Sequence, residues 1–183
     1  DLYVITLSQD LPLHLCHFGF YFSLIAIYFK SSNKKISDDK LQFYFDIAYV
    51  TGFSGALQGI LTVDWDGINN LIGVVTGHLQ HSLIILNTLW LIFAYDMKFS
   101  ISGVKNSLIF LNLIIIPIGF INYIIGANYF FLCEAPDVNN PLLLTKKWPY
   151  YILIIDIIAF IYVYILYLPF KFVKILKDNS KSI

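Results

Sequence analysis

Five stretches of the chain, 11–29, 41–61, 68–95, 107–126 and 150–170, are apolar over the length that an α-helix needs to cross a bilayer, roughly 20 residues. In hydrocarbon every backbone N–H and C=O must be satisfied inside its own segment, so successive apolar runs of this length fold as spanning helices. The expectation is an all-α, polytopic transmembrane helical bundle with five visible spans, forming a single transmembrane domain over 1–183. The third run is overlong and is expected to tilt or to begin at the interface. Charged residues make up only 13% of the chain and hydrophobic ones 58%, whereas a soluble domain carries about 25% charged residues. Lipid rather than water over most of the surface explains the deficit. Every base is lysine, and Ile, Asn, Phe and Tyr are heavily used; this reads as the codon bias of an AT-rich genome, not as chemistry.

The net charge of zero conceals an asymmetry. Lys30, Lys34, Lys35, Lys40, Lys98, Lys105, Lys171, Lys174, Lys177 and Lys181 fall on one side of the five spans. Lys146 and Lys147 fall on the other, with Asp1, Asp10, Asp64, Asp66, Glu134 and Asp137. Lysine accumulates on the cytoplasmic side, so the expected protein is multi-pass in the cell membrane, with a cytoplasmic C-terminus. The chain begins at Asp1 rather than Met, and one preceding helix, a sixth span in the full chain, is expected. The first run is not a removable signal peptide, because it holds ionisable side chains and lacks a basic start.

Polar groups inside a bilayer are costly and mark candidate functional sites. His14, Cys16 and His17 fall in the outer turns of the first run. His78 and His81, spaced i, i+3, share one face of the third. At 1.5 Å of rise per residue, Cys16 lies roughly 8 Å and His78 roughly 15 Å from the outer ends of their spans. Gln58, Asn122, Asn128 and Asp156 also belong to the outer half, while Asp46 sits near the inner edge. Gln58, Asn112 and Asn122 also suit a plain role as interhelical hydrogen-bond partners, and Gly52, Gly55, Ala56 and Gly59 suit a helix-packing face.

Two chemistries fit a cysteine among histidines. In one, a histidine takes the thiol proton and the thiolate attacks an acyl carbonyl. In the other, thiolate and imidazole hold zinc or copper, but the spacings match no standard zinc signature, and no metal or cofactor is expected. A Cys16–Cys133 disulfide on the outer side is a third possibility, one that excludes thiolate catalysis.

Specific strings narrow the choice. Leu-Pro-Leu-His-Leu-Cys at 11–16, Gly-Ala-Leu-Gln-Gly-Ile-Leu-Thr at 55–62, Gln-His-Ser-Leu-Ile-Ile-Leu at 80–86 and Asn-Tyr-Phe-Phe-Leu-Cys-Glu-Ala-Pro at 128–136 stand in this order. Trp-Pro-Tyr-Tyr at 148–151 and Tyr-Leu-Pro-Phe at 167–170 follow. Together they resemble the YwaF-like family of bacterial integral membrane proteins over nearly the whole chain. That family is similar to a eukaryotic TMEM-type acyltransferase that moves polyunsaturated acyl chains onto ether lysophospholipids, and more distantly to membrane hydrolases of fatty-acid esters that use Thr and His. The resemblance implies Cys16 as nucleophile and a later-helix histidine as base, His81 first and His78 second. Asp64-Trp65-Asp66 departs from the proline-containing segment expected after the second span. Asn128, ahead of aromatics at a membrane boundary, suits an interfacial belt or a donor to an acyl oxyanion.

The leading expectation is a Cys/His-dependent lipid acyltransferase or acyl hydrolase acting from the outer half of the bilayer. Cys16, His81 and His78 would be catalytic, and His14, His17, Gln58, Asn122 and Asn128 would contact an acyl-lipid substrate. The alternatives are a small-solute transport or substrate-capture subunit and a structural subunit with membrane partners. Membrane lipids are the expected surroundings. Nucleic acid is not an expected partner, because the lysines flank spans and form no basic domain.

Overall fold

The computed structural model describes residues 6–62, 71–138 and 140–180. Asp64-Trp65-Asp66, Ile68 at the start of the third predicted span, and Asp1 and Lys181 of the charge pattern lie outside them. The described residues are helical, with no strand among them.

Helix α1 runs Leu15–Ser31, four residues later than its apolar run begins. Pro12 and its neighbours explain the delay: His14 takes the extended N-cap position (φ −74°, ψ 158°), and Leu13 N–H donates back to Leu11 O at 2.8 Å. Helix α2, Asp38–Thr51, starts earlier than predicted because Ser37 holds an extended N-cap backbone and Asp38 and Asp39 fill the first turn, where the helix dipole favours carboxylates. A π turn at Gly52–Ala56 joins it to α3, Leu57–Leu61. The junction residues all keep right-handed helical backbone angles, so the three pieces form one continuous element.

Helix α4 spans Leu71–Phe93. Helix α5, Ile101–Ile125, is capped by Ser100, whose Oγ accepts from Gly103 N–H, and stops at Gly126 in the left-handed conformation (φ 64°) that glycine takes at little cost. Helix α6 covers Tyr150–Ser180 and carries through Pro169. It therefore extends ten residues past the predicted limit at 170, so that Lys171, Lys174 and Lys177 are helical and exposed. Proline inside a spanning helix is tolerated where neighbours satisfy the freed carbonyl.

Two helices, Ile101–Ile125 and Tyr150–Lys177, are long and apolar enough to cross a membrane, and only 11% of either apolar window is buried. Leu113, Ile116, Phe120 and Tyr123 of α5 are 61–86% exposed. A soluble protein would bury such helices; here the apolar faces point outward, as lipid requires. Helix α4 is long enough as well, but His78, Gln80, His81 and Asn87 interrupt its apolar run.

The α1–α2 crossing is made by glycines. A methyl group at Gly19 would lie 2.9 Å from Gly52 N, and one at Gly55 would lie 2.8 Å from Cys16 N. Removing side chains lets the two backbones touch, as small residues do in membrane helix pairs. Two cores flank this crossing. One joins Phe45, Tyr49, Val50, Leu91, Phe99 and Val163; the smaller joins Ile118, Ala127 and Tyr129 to Leu11, Leu13 and Phe18.

The candidate cysteine–histidine site

The Leu-Pro-Leu-His-Leu-Cys string is fixed from outside its own helix. Tyr129, 1% exposed, accepts from Leu11 N–H through Oη at 2.8 Å and donates to Leu7 O at 2.7 Å. Tyr129 is itself gripped by Asn122, which donates to Tyr129 O at 2.9 Å and accepts from Tyr129 N–H at 3.0 Å. These bonds hold the segment before α1 against the end of α5. Sequence reasoning missed Tyr129; its place in the Asn-Tyr-Phe-Phe-Leu string was the available signal.

Phe130 and Phe131 adopt positive φ values of 59° and 53°, a conformation that non-glycine residues rarely take. Asn128 closes the strained turn: Oδ1 accepts from Cys133 and Glu134 N–H, and Nδ2 donates to Glu134 O. The Trp148 indole N–H donates to Leu132 O at 3.1 Å, and the Tyr151 hydroxyl donates to Phe131 O. The His14 ring packs 5.2 Å from Tyr129 and 5.5 Å from Phe131.

Cys16 is the second residue of α1. Its Sγ lies 4.0 Å from His17 Nδ1, and the His17 ring centroid is 6.3 Å from that of His14. Its backbone rests on Gly55. One helical turn along, a methyl group at Gly59 would lie 2.8 Å from Cε1 and Nε2 of His81. The glycine face thus carries Cys16 at one position and His81 at the next. The His81 Nδ1 is 2.9 Å from Gly77 O, and His78 Nδ1 is 2.9 Å from Val74 O. A carbonyl can only accept, so each neutral ring carries its proton on Nδ1 and leaves Nε2 as a bare acceptor.

Both cysteines are free, Cys16 half-buried and Cys133 exposed; the Cys16–Cys133 disulfide weighed from the sequence is absent. Among the described residues no three His, Cys, Asp or Glu side chains gather as a metal-ligand set. Asp156 is partnered by Asn112 Nδ2 at 3.3 Å.

A cavity of about 200 Å³ lies next to Leu15, walled by the π turn and α3, by α5 and α6, and by Pro136, Asn140, Leu142 and Leu143, with none of Cys16, His17, His78 and His81 among its lining residues. Leu15 reaches into it, as do Ser54 and Gln58 on either side of Gly55. Gln58 Oε1 accepts from Asn140 Nδ2 at 3.1 Å, and both residues line the cavity.

The chain was also compared with known proteins. No curated protein and no solved structure matches it. A family model, that of the TMEM164 family, matches residues 2–167, a span that includes Cys16, both later histidines and the Asn122–Tyr129 clamp. With a match over most of its length and helices that turn apolar faces outward, the chain is a membrane protein of the TMEM164 family.

Proposed function

We propose that this protein is an acyl-transfer enzyme of a five-span bundle, using Cys16 as nucleophile in the outer half of the cell membrane with its C-terminus in the cytoplasm. The observation that carries the reading is the placement of Cys16 at the start of α1, with His17 at 4.0 Å, His81 one turn away along the same glycine face and an apolar cavity bordered by the neighbouring Leu15. The base comes from His17, the nearer ring, or from His81, the one that the sequence motif favours. It takes the Sγ proton, the thiolate adds to an ester carbonyl, and collapse of the adduct expels an alkoxide that recovers the proton as an alcohol. A thioester on Cys16 remains. An acceptor hydroxyl, deprotonated by the same base, then takes the acyl group and the sulfur regains its proton; with water as acceptor the outcome is hydrolysis.

The test is lipid profiling of cells carrying Cys16→Ala, His17→Ala or His81→Ala, with intact-mass analysis of the protein for a hydroxylamine-labile acyl adduct. Loss of the base is expected to lower turnover by about 10²–10⁴-fold, and loss of Cys16 to abolish the adduct. Unchanged phospholipid acyl composition together with no adduct on Cys16 sinks the reading. A purely structural subunit fits less well, because it gives no reason for a free thiol 4.0 Å from a histidine ring or for an open apolar cavity.

A further inference from the structure

We propose that the cavity bordered by Leu15, the residue before Cys16, seats a single hydrocarbon chain of an esterified membrane lipid, and that the free N–H of the Gln58 amide holds the ester carbonyl. This deepens the acyl-transfer reading and rests on it only for what happens to the ester afterwards.

The walls exclude a polar guest. Leu111, Ile155, Ile158 and Val163 supply hydrocarbon, and the two hydroxyls, those of Ser54 and Tyr162, are already engaged by backbone. Ser54 Oγ donates to Val50 O at 2.6 Å, and Tyr162 Oη donates to Phe53 O at 2.9 Å. Such a cavity offers water too few partners, and apolar cavities of about 150 Å³ stay dry and take up benzene. At about 200 Å³ this one has the space for an apolar guest. Its rim includes Ile155 at 41% and Leu142 at 38% exposure, beside helix faces that meet lipid, so a chain can enter sideways from the bilayer.

The head of that chain is constrained as well. No charged residue lines this cavity, and a free carboxylate there would be an unpaired buried anion, which is costly. An ester carries no charge and asks only for a donor to its carbonyl. Gln58 provides one. Its Oε1 is held by Asn140 at 3.1 Å and faces Thr62 Oγ1 at 3.5 Å, which turns Nε2 away from those partners as a free donor. Gln58 and Ser54 flank Gly55, on which the Cys16 backbone rests, so a carbonyl held by Gln58 is delivered to the thiol's side of the bundle.

The experiment uses the full chain in nanodiscs with two photoreactive probes, a phosphatidylcholine bearing a diazirine in its acyl chain and the matching free fatty acid. Both are applied to the protein as it stands and to Cys16→Ala. The expected result is ester-probe crosslinks concentrated on Leu111, Leu143 and 155–163 in both proteins, with the free acid weaker by at least about tenfold, as an unpaired buried charge demands. Ala159→Phe and, from the facing helix, Leu111→Trp should each fill the cavity and cut the crosslink by a similar factor, with the thermal midpoint read in parallel. Gln58→Leu should weaken the ester probe alone. Crosslinks spread evenly along the lipid faces of α5 and α6 and indifferent to both filling variants overturn the seat, as does equal labelling by the free acid. Crosslinking of the cavity with no adduct ever forming on Cys16 leaves the seat standing and removes the acyl-transfer step; the reverse pattern removes the seat and leaves the step.

Discussion

At the Asp46 end of the bundle Tyr49 stacks on Phe45 at 5.9 Å and meets Phe99 at 5.0 Å, while at the Cys16 end the Tyr129 and Phe131 rings share the space with glycine contacts, half-buried histidines and a cavity. The polar groups differ in the same sense. Asp46, 1% exposed, accepts from Gln42 Nε2 at 2.8 Å, and a methyl group at Gly103 would press on its carboxylate at 2.7 Å. Ser107 Oγ donates to the Asp46 carbonyl at 3.3 Å. At that end the described polar groups hold one another. At the Cys16 end the side chains that could do chemistry are spared, and the holding is done by Asn122, Tyr129 and Asn128 acting on backbone. A closed core gives one end stability; backbone clamps give the other end order without filling the space a substrate needs.

The largest effect should come from opening the closed end. Phe45 is fully buried, and Phe→Ala in a core costs about 3–5 kcal/mol. The lower part of that range applies to Phe45, since lipid rather than water bathes much of the bundle and the transfer term shrinks. Phe45→Ala should lower the thermal midpoint in detergent by more than Asn122→Ala, Gly55→Ala or Gly59→Ala at the Cys16 end. A smaller drop than that of Asn122→Ala would invert the comparison.

Asn122→Ala comes second. It strips partners from both the N–H and the C=O of Tyr129, and stranded backbone groups cost about 1–3 kcal/mol each where water cannot reach them. The loss should be local. Hydrogen exchange is expected to speed up across 7–14 and 127–134, with 41–50 unchanged. Uniform acceleration would mean that the clamp supports the whole bundle and not one end of it.

Gly59→Ala is a finer probe. The new methyl would meet the His81 ring at 2.8 Å, and a ring at the end of a side chain can swing aside where backbone cannot. Stability should change by less than about 1 kcal/mol, the low edge of overpacking costs, while any acyl adduct on Cys16 forms more slowly. Gly55→Ala makes the contrast, since its methyl would strike the backbone N of Cys16 at 2.8 Å; there stability should fall too. Equal thermal midpoints for the two variants would remove the distinction between ring and backbone contacts.

Much of the helical layout was legible because apolar length reports it directly: four helical elements begin within six residues of the predicted spans, and the start of the remaining span lies outside the described residues. The misses have local causes. Pro12 delays α1, Ser100 and Asp38 start their helices early, and Pro169 did not stop α6 because proline removes one bond and leaves the rest of the ladder intact. The π turn at Gly52–Ala56 left no signal beyond its glycines. For the site, the strings picked out Cys16 and the later histidines, yet spacing along one chain cannot say which ring stands by the sulfur. His17, a neighbour in sequence, lies 4.0 Å from it, and Tyr129 enters through hydrogen bonds to Leu7 and Leu11 that span more than 110 residues.

The smallest effect tests whether charge also orders the Cys16 end. The exposed Asp137 is paired with Lys146, and that hydrogen bond and charge hold its carboxyl below the usual carboxylate range. A depressed carboxyl stabilises the fold above the ordinary aspartate range and loses that contribution as pH falls through the folded value. At neutral pH the pair is therefore intact, but full exposure and salt screening leave it little weight. Lys146→Ala should return the Asp137 titration, followed by carboxylate NMR, to the ordinary range, while thermal midpoint and exchange over 127–134 stay as they were. If instead that segment loosened as far as in Asn122→Ala, and loosened in the unmodified protein at high salt as well, the loop after α5 would be ordered by charge, and backbone clamping would no longer distinguish the two ends.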